Sequence, residues 1–328
     1  VLSRLERYEE ALTAYDRALI TAPTNYAVWH NKALALARLQ RSEEAFEAID
    51  NAQRNAFDNS DPDLWRMRGH VLTDMGLYKD ALVAYDYALS IYPKDCLTWA
   101  SKGKMFARSG QYKKALEAFD HTLTIDPDDT GTWRDKADVL CIMRRYKSAL
   151  NALDHALAID SDDFEACVLK GLALAGLKRY EEALEVEEHL IILAPNNAGV
   201  WRNKGVTLHR LKRYEEALSA LQHTLELDPD QAYTWSNKGV VLADSGRYEE
   251  ALEAFEHHIT LTPNDADAWR NKGSALLFLK RYEEALAAYN RSLAINPNDP
   301  RCWENKATAL RALGYETEAQ AAEARAKA

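Results

Sequence analysis

Five histidines recur at one spacing: His121, His155, His189, His223 and His257 stand 34 residues apart. A ladder of imidazoles suits metal ligation or proton transfer near neutral pH. The frame argues against both uses. These positions fall about 180° from the apolar stripe of the helix that carries them, and stacked helices stand roughly 10 Å apart, too far to share a metal. Solvated surface is expected. The four cysteines (Cys96, Cys141, Cys167, Cys302) are far apart and form no C-x-x-C pair, so neither a zinc site nor a disulfide framework is indicated, and a reducing cytoplasm fits best. No Gly-rich phosphate loop, H-E-x-x-H or G-x-S-x-G stands clear of the repeat background. The chain reads as non-catalytic, without cofactor or metal.

A second ladder has binding rather than reactive chemistry. Asn203, Asn237, Asn271 and Asn305, with Asn31, sit two residues after a tryptophan. An amide both donates and accepts, so it can pair with a bound main chain whatever that chain's sequence. Beside this row lie Val206 and Val240, and Arg202, Arg210, Arg270, Arg301 and Arg311 outnumber Asp244, Asp267 and Glu304. This stretch is locally cationic in a chain of formal net charge −10.

The elements that must position these residues follow from the tryptophans at 29, 65, 99, 133, 201, 235, 269 and 303, with Cys167 in the empty slot. Four residues after each slot stands Gly or Ala, as at Gly239 and Gly273. Thirteen after it comes Tyr in seven repeats, sixteen after it Ala in all, and seven of the nine prolines precede a slot by six residues. Offsets 0, +4, +7 and +10 share one helical face; offsets +13, +16, +17, +20, +23 and +24 share another. Lys or Arg ends the first helix and paired acids such as Glu215-Glu216 begin the second, both favourable to the helix dipoles. A Lys three after nearly every slot flanks the core, where its stem can pack.

This pattern resembles the tetratricopeptide repeat family, best in the run Trp269 to Pro297. Asn-Lys-Gly after Trp and Tyr-Glu-Glu-Ala-Leu beyond it are similar to the prokaryotic type. The resemblance implies an all-α fold, a right-handed superhelical solenoid of antiparallel helix pairs, and a concave groove lined by the first helices that holds a protein or extended peptide. One continuous solenoid is expected: a partial repeat over 1–25, then nine repeats over 26–328, the last a C-terminal cap with Gln320, Glu323 and Lys327 in normally apolar slots. The frame opens in mid-helix, so an upstream segment, a fused N-terminal domain or self-association is expected to cover that edge.

Two departures mark weak points. The first full repeat carries two extra residues near Asn55 to Ser60. The fifth has Cys167 for Trp and Glu187 for the aromatic at +20, so packing is expected to be weakest there. Its first helix is also apolar nearly all round. Val168, Leu169 and Leu172 take groove offsets that hold Arg134, Asp135 and Asp138 one repeat earlier, and Ile142 stands beside them. This patch is expected to receive a hydrophobic anchor.

The leading expectation is therefore a protein-protein interaction scaffold; the alternative is the sensor part of a larger effector such as a protease or NTPase. The net charge opposes nucleic acid, and the period of 34 differs from the 35 of RNA-reading pentatricopeptide arrays. No apolar run approaches the roughly 18 residues of a membrane span.

Overall fold

Helix ends in this chain are set by recurring local chemistry. In the computed structural model, which describes residues 2–55 and 61–327, Asn25, Asp61, Asp95, Asp129, Asn197, Asp265 and Asp299 cap first helices by accepting backbone N–H groups. Those helices stop at a residue with positive φ, glycine at Gly246 (83°) but lysine at Lys212 (59°) and Lys280 (61°). The second helices lack a side-chain cap hydrogen bond. Instead the residue before the helix reaches into the first turn: Arg213 makes a two-pronged pair with Glu216, as Arg247 does with Glu250 and Arg281 with Glu284. The cations and acids read as separate dipole partners thus also bind one another.

Every described element is a helix. The chain divides into two compact units, Val1–Ala173 and Leu174–Ala328. In the first, α1 (Leu2–Thr21) precedes the hairpins α2–α3 (Tyr26–Arg38, Ser42–Arg54), α4–α5 (Pro62–Asp74, Tyr78–Ile91), α6–α7 (Cys96–Arg108, Tyr112–Ile125) and α8–α9 (Thr130–Ile142, Tyr146–Ile159). The helix α10 (Phe164–Gly176) runs past the division. The second unit holds α11 (Tyr180–Leu193) and the hairpins α12–α13 (Ala198–Arg210, Tyr214–Leu227), α14–α15 (Ala232–Asp244, Tyr248–Leu261), α16–α17 (Ala266–Phe278, Tyr282–Ile295) and α18–α19 (Pro300–Ala312, Glu316–Ala326). The insertion expected near Asn55 to Ser60 lies, beyond Asn55, outside the described residues.

Within a hairpin the two helices cross where the sequence provides a small residue. A Cβ added at Gly239 would meet the Phe255 ring at 2.5 Å, and one at Gly273 the Tyr289 ring at 2.5 Å. The buried aromatic at +20 therefore requires the glycine at +4. Within each unit, successive first helices touch one another, α2 through α8 by even steps and α12 through α18 likewise, while successive second helices do not pack to that degree. The closer layer is the inner one, so the first helices line the inside of each unit's curve.

The tryptophans are staples rather than core. Each is half-buried, and in all but Trp65, which has no proline at that spacing, the indole N–H donates to the carbonyl of the proline six residues earlier, as in Trp29 to Pro23 (2.8 Å) and Trp269 to Pro263 (2.9 Å). In most repeats the lysine at +3 lies over the same ring (Lys102 over Trp99, 4.9 Å) and reaches an acid of the preceding repeat, as Lys102 reaches Asp86 at 2.6 Å and Lys272 Glu256 at 2.9 Å, while Lys238 reaches Gln222. The histidine ladder belongs to this cluster too. His121, His155 and His257 stack on Trp99, Trp133 and Trp235 at 4.3–4.4 Å with one face exposed, a contact that the helical wheel alone does not give.

Candidate partner-binding face

The inner face of the second unit is built from offsets +1, +2 and +5 of α12, α14, α16 and α18. Asn203 is exposed and Asn237, Asn271 and Asn305 are half-buried. Asn305 donates to Ser274 Oγ at 3.2 Å, so it is spent within the chain. This contact joins +2 of one repeat to +5 of the one before, and the first unit repeats it: His70 Nε2 lies 2.7 Å from Ser101 Oγ and Lys104 Nζ 2.9 Å from Asp135 Oδ2. The +5 positions equivalent to Ser274 for Asn237 and Asn271 are held by Val206 and Val240, which offer no polar atom. Their amides have no side-chain hydrogen bond among the described residues.

The arginines at +1 have another use. Arg270 reaches the capping Asp299 of the next hairpin at 2.7 Å and Asp267 at 2.6 Å; Arg202 reaches Gln231 at 3.4 Å. In the first unit Arg66 meets Asp95 and Arg134 meets Asp163, each at 3.1 Å. Burial alone would raise the Asp299 carboxyl, but Arg270 and the N–H groups of Cys302 and Arg301 outweigh it and hold it below the usual carboxylate range. Repeat-to-repeat stitching by Arg202 and Arg270 was missed in the sequence, although a signal exists: Arg66, Arg134 and Arg270 are each followed 29 residues later by Asp. Where Ser236 replaces that arginine, the buried His258 stands 3.2 Å from Asp265 instead. Arg210 remains exposed, with no side-chain partner among the described residues.

In the first unit Ile142 is 52% exposed and Leu172 55%, while Val168 and Leu169 are half-buried. The fifth repeat shows its departure from the aromatic at +20 in Glu187, which is only 5% exposed. Thr207 of α12 donates to it at 2.7 Å, and burial pushes its carboxyl up to about 7, against the hydrogen bond and Lys204. No described helix is long and apolar enough to cross a membrane.

Stacked two-helix hairpins with the first helices on the inside define a helical-repeat solenoid. Models of the tetratricopeptide repeat match residues 1–63, 66–130, 106–166, 169–232, 208–266 and 236–300. The chain belongs to the tetratricopeptide repeat family. Membership supports a role in protein–protein interaction. Among solved structures, the Cut9–Hcn1 hetero-tetramer of the APC/C is similar at 19% identity, over 88% of this chain and 56% of that one, with TM-score 0.56. A tetratricopeptide repeat protein from Parabacteroides merdae aligns at 15% over 76% and 98%, with TM-score 0.54. YrrB, described as having an unusual peptide-binding site, aligns at 26% over 61% and 99%, with TM-score 0.48. No curated protein sequence matches the chain.

Proposed function

We propose that this protein is an interaction scaffold that holds an extended segment of a partner polypeptide against the inner face of its first helices, without catalysing a reaction. The observation that carries the reading is the pair of unspent amides at Asn237 and Asn271, each opposite a valine rather than a polar partner. Amides about 10 Å apart, one helix diameter, match about three residues of extended chain at ~3.3 Å each. Asn203 extends the row, and Val206 and Val240 give it an apolar floor. In this reading Arg202 and Arg270 hold the wall of the groove, Asn305 fixes its end, and Arg210 is the cation left to meet a partner. Ile142, Val168, Leu169 and Leu172 supply an apolar anchor point in the first unit.

Selection of displayed random peptides on the wild-type protein tests this. Binders should lose affinity for the N203A/N237A/N271A triple variant, whose helicity and melting should match wild type. Equal binding by the triple variant would overturn the reading.

A further inference from the structure

The first unit's inner face pairs an apolar surface with one uncompensated charge. In the register that sets His70 on Ser101 and Lys104 on Asp135, the equivalent positions on α8 and α10 are Asp138 and Leu169, and Arg134 with Glu165 joins the same two helices. A carboxylate is thus placed opposite an aliphatic side chain instead of a donor. Its neighbours are already matched: Asp135 by Lys104, and Arg134 by Asp163 and Glu165. Asp138 is exposed and has no ion pair or hydrogen bond among the described residues, and no cation opposes the upward push that its apolar neighbours give its carboxyl. One helical turn further along α8 stands the exposed Ile142, and α10 presents the exposed Leu172 beside the half-buried Leu169.

Each half of this surface specifies part of an occupant. Exposed aliphatic groups on a concave face are covered best by a large apolar side chain. An unpaired carboxylate beside apolar side chains gains from a cation brought to it, because the charge is then both paired and hydrogen-bonded. An acidic segment would meet Asp138 as a like charge and be rejected.

We propose that Ile142, Leu169 and Leu172 receive a bulky apolar side chain of the bound segment and that Asp138 pairs with a lysine or arginine one or two residues from it. This rests on the groove reading above and names the chemistry of the segment that the groove selects: apolar next to basic.

The test uses the full chain and a random dodecapeptide display library, followed by fluorescence anisotropy with the enriched peptide and a copy whose basic residue is alanine. The enriched sequences should place Lys or Arg beside a large apolar residue. Asp138→Asn should weaken the basic peptide by about tenfold and leave the alanine copy unchanged, so that the two changes couple. Leu172→Asp should remove binding of both, and both variants should melt like wild type. Enriched peptides without a basic residue, or equal affinity of wild type and Asp138→Asn for a basic one, would overturn the inference. In either case, loss of binding on the triple asparagine variant would leave the groove reading standing. Failure of any peptide to enrich would overturn both.

Discussion

The indole N–H of Trp235 donates to the carbonyl of Pro229 at 3.0 Å, and this bond ties the first helix of a repeat to the turn that precedes it. Lys238 lies 5.2 Å over the ring and His257 stacks on it at 4.3 Å. Because the ring is only half-buried, Trp235→Ala should cost about 2–3 kcal/mol, below the range for fully buried aromatics. Trp235→Phe keeps the stacking and loses the bond, for about 1 kcal/mol. Denaturant titration of both variants checks this; a phenylalanine variant as stable as wild type would show that the bond contributes nothing.

Glu187 should make stability depend on pH in an unusual direction. Its folded value, about 7, lies above its ordinary 4.5. Between those limits the native state keeps a proton that the unfolded chain has released, so stability falls as pH rises and is flat beyond about 7. Glu187→Gln can still accept from Thr207 and should raise stability at pH 8 by roughly 3 kcal/mol while changing little at pH 4. Identical pH slopes in melting curves of variant and wild type would contradict this.

Arg270 and Arg210 should separate cleanly, although both were read from the sequence as groove cations. Arg270→Ala strands the 8%-exposed Asp299 and should cost about 2 kcal/mol. Arg210→Ala should stay within about 0.5 kcal/mol of wild type. Urea melts of the two variants decide the matter, and an unaffected Arg270→Ala would mean that the capping aspartate needs no cation.

The asparagines should also divide. Asn305→Ala removes the contact with Ser274 and should cost about 0.5–1.5 kcal/mol of stability, whereas Asn237→Ala and Asn271→Ala should leave stability unchanged. A measurable loss at Asn237 would show that its amide is already engaged.

Most of the hairpin framework could be read from the residues. The wheel offsets placed Gly239 and Gly273 on the crossing face, where Phe255 and Tyr289 fill the space. Helices begin at Tyr26, Pro62, Cys96 and onward, where the tryptophan frame opens each repeat. What the wheel could not give were contacts outside a single helix's faces. The Trp-to-Pro bond involves a loop carbonyl, the arginine at +1 reaches a cap 29 residues away, and the histidines lie on a ring from the other helix. The candidate groove was visible as a row of asparagines, but which of them are spent depends on the residue at +5 in the repeat before. Serine there engages Asn305, while valine leaves Asn237 and Asn271 free.

The central claim is that a polypeptide lies along the first helices, and the side-chain amides report on it most directly. In NMR spectra of the second unit's residues within the full chain, a selected peptide should shift the Nδ2 resonances of Asn203, Asn237 and Asn271 in proportion to saturation. The Trp235 and Trp269 indole N–H signals, held by prolines, should stay in place. Shifts confined to the second helices, with the three amides unmoved at saturation, would contradict the account.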